Sequence, residues 1–131
     1  MSLTKEQLSE ITLPPVLGVL STVNPDGSPQ ATPIWYRYDG EHFNVTAFEN
    51  RVKVRNVRKD PRVSLVVVDT ANNGPPLIVN GKAEIVEEGA REETLRHAIR
   101  YDGEVKGRAS AANLRGQPRV IIRITPDRII A

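Results

Sequence analysis

Residues 28–37 read Ser-Pro-Gln-Ala-Thr-Pro-Ile-Trp-Tyr-Arg (SPQATPIWYR) and follow the turn sequence Asn24-Pro25-Asp26-Gly27. The position after a turn and the mix of residues predict a returning strand, yet the stretch carries Pro29 and Pro33. Proline has no N–H to give to a ladder and is kept to edges and bulges. Two prolines four residues apart remove donors from the same side of a strand. Side chains alternate, so Trp35 shares a face with Pro29, Ala31 and Pro33, while Gln30, Thr32, Ile34 and Tyr36 share the other. Trp35 reads as a core anchor. Gln30 and Thr32 are polar in mid-strand and read either as a solvent-facing side or as contacts to a bound heterocycle.

The neighbouring segments extend the pattern in both directions. Residues 16–23 (VLGVLSTV) are apolar and β-branched and predict the preceding strand. In the turn between the two, proline presets φ and Gly27 supplies the positive φ of a bulged hairpin. Asp39-Gly40 makes a second tight turn into residues 42–46, which predicts a three-stranded antiparallel meander. Upstream, Thr4-Lys5-Glu6-Gln7 has the form of a capping box and opens a helix over 5–12, before Pro14-Pro15. Downstream, a short helix over 52–59 ends before Asp60-Pro61. Residues 62–69 (RVSLVVVD) predict a buried strand. Residues 77–87 predict a long one in which Gly81 marks a bend or a close approach. A helix over 90–100 puts Leu95, Ala98 and Ile99 on one face. Residues 102–118 are polar and read as irregular. Residues 119–125 (RVIIRIT) form a last strand before a turn at Pro126-Asp127 and a short tail. Hairpin-linked strands without βαβ alternation predict a mainly β, six-stranded antiparallel barrel with short peripheral helices. The length of 131 residues suits a single domain over 1–131.

Composition narrows the function. There is no cysteine, hence no disulfide framework and no thiolate metal site. No apolar run approaches the roughly 20 residues of a membrane span, and the first residues lack the features of a signal peptide. A soluble, cytoplasmic protein is expected. His42 and His97 have no HxH or HxxxH partner and read as solvated side chains rather than metal ligands. Neither a GxSxG elbow nor a GxxxxGK[ST] loop occurs.

The net charge is only +2, but Arg51, Lys53, Arg55, Arg58, Lys59 and Arg62 crowd into twelve residues with one acid, Asp60. Arg51 and Lys53 stand where a loop enters a helix, whose first N–H groups lack intrahelical partners and carry the positive end of the dipole. Two cations there make a phosphate site; a solvated basic helix explains the same residues. Arg58, Lys59 and Arg62 read as solvent-facing. Aromatics are few and not interleaved with the cations, which argues against a nucleic-acid surface.

The ordered set VLGVLSTVNPDGSPQATPIWYRYDGEHFNVTA, RVKVRNVRKDPRVSLVV, VNGKAEIVEE, RYDGE and RVIIRITPDRI resembles the pyridoxamine 5′-phosphate oxidase-like, flavin-binding split-barrel superfamily. It is most similar to small members that use the deazaflavin coenzyme F420. The resemblance implies a homodimer of split barrels with cofactors at the interface; the composition already argues against a nucleic-acid or membrane partner. It implies that Arg51 and Lys53 hold the cofactor phosphate with Thr46 and Asn56 nearby, and that Gln30, Ala31, Thr32 and Pro33 line the ring system. The implied activity is hydride transfer between F420 and a small electron-poor substrate, with solvent or Tyr36 as proton source. The alternatives are an FMN-dependent oxidase or reductase and a non-catalytic flavin or haem carrier. On this reading the two prolines leave a strand edge free beside a flat ring.

Overall fold

The computed structural model describes residues 3–71, 73–112 and 118–131. The elements in chain order are α1 (Lys5–Ile11), β1 (Gly18–Val23), β2 (Pro29–Ile34), β3 (Arg37–Tyr38), β4 (Phe43–Phe48) and α2 (Val52–Lys59). They continue with β5 (Arg62–Val67), β6 (Leu77–Val86), α3 (Ala90–Asp102), α4 (Glu104–Ala112) and β7 (Arg119–Ile130). The capping box at Thr4 forms as written in the sequence, with Gln7 N donating to Thr4 Oγ1 at 3.1 Å and Thr4 N to Gln7 Oε1 at 2.8 Å.

All seven strands join one antiparallel sheet in the order β2-β1-β5-β6-β7-β4-β3. β2 and β3 are therefore the two edges, yet only Trp35 and Tyr36 separate them in the chain. A sheet whose edges are joined by two residues must curl, and this one curls into a half-barrel. The join holds the edges together at one corner only. β3 pairs with Arg37↔Asn44 and Tyr38↔Phe43, so the rest of β4 faces β2 across a split.

The predicted single strand over 28–37 is thus two strands: both expected hairpins form, β1 with β2 and β3 with β4, but the break at Trp35-Tyr36 interrupts the meander and β4 takes β7 as its longer partner. The reason lies at the corner. Tyr36 N donates to Tyr101 Oη at 3.0 Å, and Tyr36 O accepts from Arg100 Nε at 3.0 Å. Side chains of α3 thereby take the backbone groups that a continuous strand would have offered to a neighbour. The count rises from six strands to seven for this reason.

The hairpin between β1 and β2 is the bulged type expected. Gly27 has φ 88°, Gly27 N donates to Asn24 O at 2.8 Å, and Asn24 N to Ser28 O at 2.8 Å. With Asn24 opposite Ser28 hydrogen-bonded, alternation leaves Val23↔Pro29, Ser21↔Ala31 and Val19↔Pro33 as non-hydrogen-bonded pairs. Both prolines therefore turn their missing donors toward the open edge.

Gly81 marks a bulge in β6, where the register shifts between Asn80 and Gly81. A Cβ on Gly81 would collide with the Thr125 carbonyl and stand 3.1 Å from Pro126 Cα. This close approach lets β7 run on through Pro126 to Ile130 as one strand, where a turn and tail were predicted. Residues 104–112 are helical, not irregular. Gly107 allows the contact: a Cβ there would lie 2.6 Å from the Ala98 carbonyl carbon, so α4 packs directly on α3. The remainder of that predicted irregular segment, 113–117, lies outside the described residues.

The core fills the inside of the curl, with Leu20, Tyr36, Phe43, Val45, Leu65, Val79, Ile122 and Ile124 buried. α2 adds Val54 and Val57 to it. On the outer face, α3 buries Ala90 and Ala98 and packs against β7 and β4. Among the described residues no helix covers the other half of that face. There the pairs Val19↔Pro33, Val19↔Val66, Val66↔Ile78 and Ile78↔Ile130 form an apolar row across five strands. Val19 and Ile130 in that row, and Leu17 and Val68 beside it, are exposed. No helix among the described residues is long and apolar enough to cross a membrane.

Candidate functional site

The split between β2 and β4 opens onto a cavity of about 240 Å³. Pro33, Ile34 and Trp35 line it from the β2 corner, Thr46, Ala47 and Phe48 from β4, and Arg51, Lys53 and Arg119 supply its charge. A neighbouring hollow of about 540 Å³ shares Phe48 and Arg51 with it.

The cations are placed by local rules. Arg51 is the N-cap of α2, extended at φ −72° and ψ 150°, and no side chain caps the helix. The first turn of α2 holds no acid, so the positive helix pole is unneutralised. Lys53 follows on that first turn. Arg119 comes from β7, where the register Phe48↔Arg119 sets it opposite the last residue of β4. Its Nε donates to Thr94 Oγ1 and its Nη2 to Thr46 Oγ1, both at 3.1 Å. Its guanidinium lies over the Phe48 ring at 4.5 Å, and that of Arg51 lies over the same ring at 5.4 Å.

Burial lowers the Lys53 pKa from its ordinary value, and Arg51 and Arg119 lower it further. Burial, then Arg51, likewise lowers that of Arg119. No carboxylate offsets either shift; the adjacent Glu49 pairs with Arg58 at 3.2 Å. Three crowded cations without a counter-charge destabilise one another until an anion arrives. The arrangement therefore fits a phosphate-bearing group.

Among the residues singled out in the sequence, Pro33, Thr46, Arg51 and Lys53 meet at this cavity. Gln30, Ala31 and Thr32 lie further along β2. Gln30 Oε1 accepts from Thr22 Oγ1 at 3.2 Å, and Ala31 faces out from the open edge. The Thr32 hydroxyl is buried with no hydrogen-bond partner. Asn56 is buried on the inner side of α2, and its amide donates to Thr22 Oγ1 at 3.0 Å and Asn24 Oδ1 at 2.9 Å. Those two bonds tie α2 to β1. Arg58, Lys59 and Arg62 are exposed as expected.

Three readings of the sequence are corrected. Trp35 is not a core anchor: it is 37% exposed and stacks on Tyr101, with centroids 4.7 Å apart and planes 3° off parallel. The core anchor is Tyr36, on the face it shares with buried Ile34: the alternation holds through the corner, and the inward face is the one opposite Trp35. Tyr36 is fully buried and its phenol has no partner; burial pushes its pKa up to about 12. It cannot hand a proton to a substrate in the split. His97 is not solvated but buried, with Nε2 3.0 Å from Glu93 Oε2. Glu93 also accepts from Arg37 at 2.8 and 2.9 Å.

Arg119, Phe48 and Trp35 are the site residues that sequence reasoning missed. Arg119 sits far from the basic block in the chain, and only the pairing of β4 with β7 brings the two together.

Comparison with known proteins places this geometry. A family model described as pyridoxamine 5′-phosphate oxidase matches residues 4–131. The chain belongs to the pyridoxamine 5′-phosphate oxidase family, which binds flavin-type cofactors. A solved F420 reductase is 34% identical, with a TM-score of 0.77 over 93% of this chain and 94% of that one. A conserved hypothetical protein from Mycobacterium tuberculosis is 28% identical, with a TM-score of 0.78 over 98% of this chain and 84% of that one. General Stress Protein 26 from Bacillus anthracis shares the fold at 20% identity, with a TM-score of 0.72 over 95% and 90%.

Proposed function

We propose that this protein is a cytoplasmic F420-dependent oxidoreductase acting on a small electron-poor acceptor such as a conjugated enone or a quinone. The observation that carries the reading is the meeting of Arg51, Lys53 and Arg119 at the mouth of the split, where the nearby Glu49 is paired with Arg58 rather than with them. The similarity to an F420 reductase supports the choice of deazaflavin over FMN. When bound, the deazaflavin supplies the hydride chemistry.

The chain's own residues bind and orient. Arg51, Lys53 and the first N–H groups of α2 hold the phosphate. Arg119, pinned by Thr46 and Thr94, adds a cation whose position is fixed before binding. The proline edge of β2 offers a flat flank with a single outward donor, the Ala31 N–H, and Gln30 to Pro33 lie along it. With Tyr36 sealed in the core, solvent supplies the proton that accompanies the hydride.

A second copy of the chain completes the pocket. The apolar row on the uncovered half of the outer face is the surface it would cover. Pro33 belongs both to that row and to the cavity lining, so a partner seated on the row reaches the cavity rim.

Parallel titration of cofactor-free protein with F420 and FMN tests the reading. F420 is expected to bind with a change in its own fluorescence. Lys53→Ala is expected to weaken it about tenfold, the scale of one charge-assisted hydrogen bond. Binding of FMN alone would replace F420 with FMN, and unchanged affinity in Lys53→Ala would remove the phosphate assignment. Tight F420 binding without turnover of any acceptor would make the protein a carrier.

A further inference from the structure

We propose that Trp35 is a stacking platform for the acceptor, and that it selects flat, conjugated, electron-poor rings over saturated ones of equal size. The inference rests on the reading above, because it assigns the part of the site that the cofactor leaves free.

The geometry is specific. Trp35 is the chain's only tryptophan, and it lines the cavity together with Arg51, Lys53 and Arg119. One side of its indole lies flat on Tyr101. Tyr101 in turn is locked: its hydroxyl donates to Val16 O at 2.8 Å and accepts from Tyr36 N at 3.0 Å. The Arg100 guanidinium lies 5.3 Å from the Tyr101 ring centroid and is bonded to backbone carbonyls of Thr12, Leu13 and Tyr36. The indole is thus held in one orientation by a backing that is itself tied to three segments, although more than a third of the residue is exposed. A large apolar ring kept rigid and uncovered on the wall of a cationic cavity has no packing role on that side.

Chemistry decides what stacks there. The indole face is electron-rich, so it favours an offset-stacked partner whose ring is electron-poor. Trp35 also lies beyond Gln30 to Pro33, the stretch assigned to the cofactor ring, at the corner backed by α3. A quinone-type ring meets both conditions.

The probe is anthraquinone-2-sulfonate, flat, electron-poor and anionic, compared with camphorsulfonate, a saturated anion. Cofactor-free protein is titrated with each by calorimetry and by tryptophan fluorescence. The anthraquinone is expected to bind with saturable quenching and the saturated anion at least about tenfold more weakly. Trp35→Leu should cost the anthraquinone about tenfold by calorimetry, whereas Trp35→Phe, which keeps a stacking ring, should cost about threefold or less. Thermal melts of both variants confirm folding. Equal affinity for the two anions, or an unchanged anthraquinone affinity in Trp35→Leu, overturns the proposal. F420 titration of Trp35→Leu separates the two readings. A parallel loss of F420 affinity would assign Trp35 to the cofactor ring and overturn the platform. Failure of the wild-type protein to bind F420 strikes the proposed function, and the anthraquinone titrations then still decide the platform.

Discussion

Glu93 and His97 show how a buried polar pair sets the response of the fold to acid. Burial alone raises the Glu93 pKa, but the bonds from His97 and Arg37 more than reverse this and hold it well below the carboxylate range. Burial lowers the His97 pKa and outweighs the bond to Glu93. Both groups thus release protons more readily in the folded state, so acid favours unfolding. Stability from His97 is complete above its ordinary value of 6.5 and declines as pH falls below it. Glu93 adds a steeper decline below its ordinary 4.5. Urea denaturation across pH should show both segments, and Glu93→Gln should flatten the lower one while costing stability at neutral pH. Asn56 makes a second residue-level case. Its amide joins α2 to Thr22 through a buried bond and to Asn24 through a half-buried one, so Asn56→Ala should destabilise by about 2 kcal/mol in urea melts. The family resemblance alone flagged Asn56, as a residue near the phosphate; only its partners, more than thirty positions upstream, reveal its part in the fold.

The elements divide by where their causes lie. α1, α2 and the first hairpin were legible because their determinants are local: a capping box, a following Asp-Pro and a Pro-Asp-Gly turn. The break between β2 and β3 was not, because Tyr101 and Arg100 impose it from some 65 residues away. α4 was missed because its sequence lacks an apolar stripe; its contact is made through the backbone at Gly107, which no periodicity marks. Gly81 lies between these cases: its presence in a strand announced a special site, and the Thr125 carbonyl supplies the reason. Gly81→Ala should destabilise by about 2–4 kcal/mol, the cost of overpacking against rigid backbone. A melt unchanged within error would show that β7 can shift to make room.

For the whole molecule, the uneven cover of the sheet matters most. α3 shields one half of the outer face, and the apolar row from Pro33 to Ile130 is left to water or to another copy. A charge within that row, Val19→Asp, should convert the proposed dimer to monomers in light scattering while the monomer stays folded. A mass unchanged from wild type would rule this row out as the interface. Barrel class and the basic block at the start of α2 could be read from the order of segments along the chain. The third cation, Arg119, and the exposed Trp35 on the cavity wall could not, since both depend on which strands become neighbours once the sheet has curled.

The proline edge of β2 has one more consequence. Of its outward positions 29, 31 and 33, only Ala31 owns an amide hydrogen. That single N–H faces the split with no strand beside it, while Gln30, Thr32 and Ile34 turn theirs toward β1. Its deuterium uptake is a one-atom gauge of the split: fast when solvent fills the gap, slow when a ring or a partner closes it. Nature has left this border almost silent, and the one voice on it reports occupancy directly.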